Sequence, residues 1–107
     1  MNITWKQTAL QSLIQLDLWR EDKGWSDIGE YLVEIIETYF NQQDMSVYIP
    51  GRIVSVKGMP INMRMVLISP GKSAPYKVFY RYDKNEVEIF LIRHPHQKPL
   101  YQQRERS

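Results

Sequence analysis

The pattern of apolar and polar positions divides the chain into a short strand, two helices and a group of later strands. Residues 1–5 alternate, with Ile3 and Trp5 apolar, which predicts a short strand. In the next segment apolar residues recur at intervals of three and four, which predicts an amphipathic helix that ends near Gly24. The stripe of that helix is Ala9, Leu10, Leu13, Ile14, Asp17 and Leu18, in which only Asp17 is polar.

A second helix is predicted to begin near residues 26–27. Ser26 or Asp27 can cap its N-terminus, and Glu30 follows Asp27 at the spacing of a capping box. Because only a few residues separate the two helices, we expect an antiparallel helical hairpin. The apolar stripe of the second helix consists of Ile28, Tyr31, Leu32, Ile35, Ile36, Tyr39 and Phe40.

Three strand-like runs follow, at residues 61–69, 76–82 and 86–93. A Pro- and Gly-containing loop separates the first two, and a tight turn separates the last two, so an antiparallel meander is predicted. The helices are expected to cover one face, which leaves the other to present Arg64, Lys77 or Arg81. The predicted fold is α+β: an N-terminal strand and a two-helix hairpin packed on an antiparallel sheet, with one domain over residues 1–101 and a polar tail over 102–107.

Composition removes several classes of function. The chain of 107 residues has no cysteine, which excludes disulfides, thiolate zinc sites and cysteine nucleophiles. No apolar run approaches the ~20 residues of a membrane span, and residues 1–5 do not begin a signal peptide. We therefore expect a cytoplasmic protein that is not associated with a membrane.

Charge is distributed unevenly along the chain. Residues 1–50 hold three basic and eight acidic residues, a net charge of −5, whereas residues 51–107 hold eleven and four, a net charge of +7. Such asymmetry is typical of chains that meet a polyanion. Mutual neutralisation of the two halves within the fold explains it equally well.

Four segments, in order, resemble the RelE/ParE superfamily of bacterial toxins. They are Ile3-Thr4-Trp5 followed by Ala9 and Leu13, then Lys57-Gly58-Met59-Pro60, then Tyr76-Lys77-Val78-Phe79-Tyr80-Arg81, and finally Val87-Glu88-Ile89-Phe90-Leu91-Ile92-Arg93-His94. The resemblance covers about residues 1–101. It implies the toxin half of a type II toxin–antitoxin pair, with a cognate antitoxin as partner.

The resemblance to RelE-type members implies a ribosome-dependent endonuclease that cuts mRNA and needs no metal or cofactor. The ribose 2′-hydroxyl attacks the adjacent phosphate, which requires a base, an acid and cations that stabilise the phosphorane. The candidate catalytic residues are Arg81, His94, His96 and Tyr101. The candidate RNA- and phosphate-binding residues are Lys57, Arg64, Lys77, Arg93 and Lys98.

Other functions fit the same residues. A ParE-like toxin inhibits DNA gyrase by binding, without catalysis, and the strand that ends at Ile92-Arg93-His94 fits that branch as well. A plain binding module or a decayed toxin is the third interpretation. At the level of single residues, the arginines can pair with helix glutamates, the histidines can be surface residues, and Tyr101 can pack on the sheet.

Overall fold

The computed structural model describes residues 1–97, which form two helices and a five-stranded sheet. The elements are β1 (Asn2–Trp5), α1 (Gln7–Asp22), α2 (Gly29–Asn41), β2 (Arg52–Val54), β3 (Met63–Ile68), β4 (Tyr76–Asp83) and β5 (Glu86–Arg93). The predicted α+β class, the two helices and the three later strands are confirmed. The short strand β2 was not predicted, because three residues are too few to show an alternating pattern.

The sheet is mixed, with strand order β1-β5-β4-β3-β2. Strands β3 to β5 form the predicted antiparallel meander, and β2 adds a fourth antiparallel strand beside β3. Strand β1 lies parallel to β5, with Ile3 opposite Val87 and Trp5 opposite Ile89. The prediction of a purely antiparallel sheet is therefore wrong at β1, because alternation within a strand carries no information about the direction of a partner far along the chain.

The main core lies between the helices and one face of the sheet. In α1 the buried residues are Ala9, Ser12, Leu13 and Leu16, whereas Leu10, Ile14 and Leu18 are exposed. The predicted stripe of α1 thus contains residues that point outward as well as inward. The helix-facing residues of the sheet include Val66, Ile68, Tyr76, Val78, Tyr80, Val87, Ile89 and Ile92.

A smaller apolar cluster occupies the opposite face, which we call the open face. Met63 and Met65 of β3 pack there with Phe79 of β4 and with Phe90 and Leu91 of β5. The loop of residues 55–62 covers part of this cluster with Val56 and Met59. The open face is thus partly sealed by the chain itself.

A β-bulge at Phe90 changes the side to which β5 residues point. Tyr80 lies opposite Ile89, but Phe79 lies opposite Leu91, so Phe90 has no partner of its own in β4. Beyond the bulge, Ile92 packs in the helix-side core. Since successive strand residues point to opposite faces, Arg93 then lies on the open face.

Helix α1 continues along the edge of β5 where β1 ends. The hydroxyl of Thr8 donates to the carbonyl of Phe90 at 2.7 Å, and the backbone N–H of Ile92 donates to Ser12 Oγ at 3.0 Å. The Ser12 hydroxyl in turn donates to the carbonyl of Ala9 at 2.7 Å. Two hydroxyls one helical turn apart therefore satisfy an edge that would otherwise have unpaired backbone groups.

The start of α2 is capped from α1. No side chain of its own caps the helix, and Asp17 Oδ1 instead accepts from the N–H groups of Ile28 (2.8 Å) and Gly29 (3.1 Å). The predicted capping box at Asp27 and Glu30 is therefore wrong. A Cβ at Gly29 would lie 2.7 Å from Asp17 Oδ2, so the absence of a side chain permits this close approach.

Candidate functional site

Two cations of the predicted site lie side by side on the open face. Lys77 of β4 and Arg93 of β5 are direct partners in the antiparallel register. Both side chains are half-buried, and burial lowers the pKa of Arg93. Their pairing places two positive charges at the edge of the sheet where β5 ends.

Arg81 lies further along the same face and is held in an ion pair. Its Nη2 is 3.3 Å from Glu88 Oε1, and Lys6 Nζ is 3.5 Å from Glu88 Oε2. Glu88 lies opposite Arg81 in the register. The expected pairing of Arg81 with a helix glutamate is thus replaced by pairing with a carboxylate of the sheet itself.

Arg64 lies on the helix-facing side of the sheet, apart from the other cations. It is opposite Tyr80, and its Nη1 lies 3.5 Å from the carbonyl oxygen of Ile49 and 3.3 Å from that of Gly51. The Tyr80 hydroxyl donates to the carbonyl of Pro50 at 2.5 Å. The prediction that Arg64 shares a face with Lys77 and Arg81 is wrong, and its contacts instead stabilise the segment that enters β2.

Lys57 is exposed on the loop that covers the open face. The loop is anchored by Val56, which packs in the open-face cluster, and Gly58 follows with a φ of 82°. Lys57 therefore stands on the same side of the sheet as Lys77 and Arg93. Lys98 and Tyr101, the remaining predicted residues of the C-terminal part, lie outside the described residues.

His94 is enclosed by aromatic rings on the helix side. Its ring centroid lies 4.9 Å from that of Trp19, 5.8 Å from that of Trp25 and 5.1 Å from that of Tyr76. Only 7% of the residue is exposed. The histidine that follows β5 is thus part of the packing between α1 and the sheet.

The hydrogen bonds of His94 define its neutral form. Its Nδ1 accepts from the backbone N–H of His96 at 3.0 Å, which places the ring proton on Nε2. Burial lowers the pKa of His94, and the nearby His96 and Arg20 lower it further. At neutral pH His94 is therefore an uncharged structural ring, whereas His96 is exposed.

Residues that the sequence did not single out complete this aromatic cluster. Arg20 Nη1 donates to the Tyr76 hydroxyl at 2.8 Å and its Nε donates to the Ser26 carbonyl at 2.7 Å. The guanidinium also lies 5.4 Å from the Trp25 ring. The signal in the sequence was the pair Trp19 and Trp25 on either side of a helix end, but nothing in it linked them to a histidine about seventy residues later.

Arg81 and His94 do not converge on one point. Arg81 lies opposite Glu88, six residues before His94, which corresponds to roughly 17–20 Å along the strand. The two side chains also lie on opposite faces of the sheet. Since acid–base catalysis needs groups within about 3 Å of the reacting atoms, these two cannot serve one phosphate in this conformation.

The described residues form no metal centre. Residues 1–97 contain no group of three or more His, Asp or Glu side chains able to hold a metal ion. A groove of about 340 Å³ lies between α2 and the end of β3, lined by Ile35, Tyr39 and Leu67 among others, and Leu67 is the register partner of Lys77. Within the described part of the chain, neither helix is long and apolar enough to cross a membrane.

Comparisons with protein-family models, with curated proteins and with solved structures found no match to this chain.

Proposed function

We propose that this chain is the toxin of a type II toxin–antitoxin pair, acting in the cytoplasm and neutralised by an antitoxin encoded beside it. The support is the order of elements along the chain, together with the segments that resemble the RelE/ParE superfamily. A strand, two helices and an antiparallel meander follow one another along the chain. The cations Lys57, Lys77 and Arg93 stand on one side of the sheet, which gives a surface for an acidic partner.

The geometry best supports a toxin that blocks its target by binding, and the ParE branch of the resemblance suggests DNA gyrase as that target. One observation carries this preference: His94 is buried and neutral on the helix side, while Arg81 is ion-paired to Glu88 on the open face. A binding protein needs no convergent acid and base. The apolar cluster of the open face is itself buried, with each buried member at most 8% exposed, so a protein partner would contact the cations around it.

A ribosome-dependent mRNA endonuclease is the second candidate. It is favoured by the pair Lys77 and Arg93 at the end of β5, with exposed His96 three residues beyond Arg93. In that mechanism the two cations hold the phosphate and stabilise the developing charge. His96 then moves the proton, because an imidazole can both accept and donate one.

Two assays on the purified full-length chain separate these functions. We expect loss of DNA supercoiling by gyrase, with transcripts intact in a translating extract. If transcripts are cut within ribosomes, and His96→Ala abolishes the cutting while the exposed loop variant Lys72→Gln retains it, the nuclease replaces the binding toxin. Harmless expression without any neighbouring antitoxin gene rejects both and leaves a plain binding module.

A further inference from the structure

The outward side of α1 carries an exposed apolar stripe that belongs to neither core cluster of the described structure. Leu10, Ile14 and Leu18 are 44%, 63% and 59% exposed. Residues four apart lie in line on a helix, so the stripe runs for about 12 Å with Ile14 at its centre. Isolated exposed aliphatic residues are ordinary, but three in a row form a contact surface.

The charges of α1 are arranged against its own dipole. Glu21 and Asp22 are exposed at its C-terminal end, where carboxylates are unfavourable. Arg20 is the basic residue of the last turn, but its guanidinium is directed to Ser26 and Tyr76. The first turn holds no acidic residue, and Lys6 at the N-cap position makes no capping hydrogen bond. The last turn of α1 thus adds exposed carboxylates to its basic Arg20 and the C-cap residue Lys23, while the first turn offers its own N-terminus no acidic side chain.

We propose that this stripe pairs with α1 of a second copy of the chain, antiparallel about a two-fold axis through Ile14. Ile14 then meets Ile14 of the partner copy, and Leu10 meets Leu18. The same arrangement sets the last turn of each helix, with Glu21 and Asp22, beside the first turn of the other. Each helix N-terminus then lies near negative charge from the partner copy, which the helix dipole favours. A parallel arrangement would instead bring the acidic ends together.

The size of the stripe sets the strength of the pairing. A stable interface buries about 800 Å² on each partner, and three half-exposed aliphatic side chains provide less than that. We therefore infer a weak dimer that is populated only at high protein concentration. The pairing goes beyond the proposed function, and its tests below use the purified full-length chain without any measurement of toxicity.

Cysteine cross-linking tests the axis directly, because the chain contains no cysteine of its own. Helices packed about 8–10 Å apart bring facing Cα atoms to within roughly 6 Å, close enough for a disulfide. We expect Ile14→Cys to form a disulfide-linked dimer under mild oxidation. An equal mixture of Leu10→Cys and Leu18→Cys should form the mixed dimer faster than either variant alone forms its own.

Val47→Cys is the matched control, since Val47 is 81% exposed and lies outside the stripe. If Ile14→Cys cross-links no faster than Val47→Cys, or if the mixed variants show no preference for each other, the two-fold pairing is overturned. In a second measurement, sedimentation of Ile14→Asp should show a dimer dissociation constant raised at least about tenfold, with Val47→Asp unchanged. Equal dissociation constants for Ile14→Asp and the original chain, with both folded by circular dichroism, would also overturn it.

Discussion

The Ser12 hydroxyl carries the contact between α1 and the edge of β5, and its removal has a calculable cost. In Ser12→Ala the N–H of Ile92, which donates to Ser12 Oγ at 3.0 Å in a buried position, loses its partner. A buried donor left unpaired costs about 1–3 kcal/mol. For a chain of this size that corresponds to a melting temperature lower by roughly 5–15 °C. Chemical denaturation followed by tryptophan fluorescence measures the free energy of unfolding.

Ser46→Ala is the matched control for that measurement. The Ser46 hydroxyl is exposed and donates only to Asp44 two residues away, so its loss should change the free energy of unfolding by less than about 0.5 kcal/mol. Hydrogen exchange adds a local readout, because the Ile92 amide should lose protection in Ser12→Ala. If Ser12→Ala unfolds with the same free energy as Ser46→Ala, the hydroxyl does not support the edge and the reasoning is refuted.

Three further changes test other parts of the fold by the same denaturation assay. Asp17→Ala removes the cap of α2 and should cost about 0.5–2 kcal/mol; no loss would mean that the helix end needs no cap. Gly51→Ala should destabilise the fold by more than about 2 kcal/mol, because φ at Gly51 is 87° and the added Cβ would clash with the Met65 carbonyl oxygen. Burial lowers the pKa of His94 in the folded chain below its usual 6.5. As the pH falls below 6.5, the unfolded chain therefore binds the proton first. The free energy of unfolding then declines with falling pH until the pKa of the folded chain is passed. His94→Asn should flatten this decline between about pH 7 and pH 5, and an unchanged slope would assign it to other groups.

Local signals predicted most of the secondary structure. The turn at residues 83–85 is one case. Lys84 and Asn85 have φ values of 49° and 64°, β4 ends at Asp83 and β5 begins at Glu86. Asn tolerates this conformation, so the turn is readable from neighbouring residues alone. The spacing of apolar residues in the helices and the alternation of residues in β4 can likewise be read from neighbouring residues alone.

The remaining features depend on contacts between distant segments. Asp17 interrupts the apolar stripe of α1, and it caps α2, whose Ile28 lies eleven residues further along the chain. The cluster around His94 joins α1, the start of β4 and the end of β5. Neither spacing nor composition indicates that Trp19 and His94 meet, because their approach is created by the packing of α1 across the sheet.

The bulge at Phe90 decides which chemistry each face of the sheet presents. With strict alternation from Ile89, Arg93 would point toward the helices and His94 would stand on the open face beside Lys77. One extra residue in β5 reverses both positions: Arg93 joins Lys77, and His94 enters the aromatic cluster of α1. The positive charge of the C-terminal half is therefore displayed without the imidazole that acid–base chemistry would place beside it. Among the described residues of the predicted site, the imidazole that stays accessible is that of His96, beyond the strand.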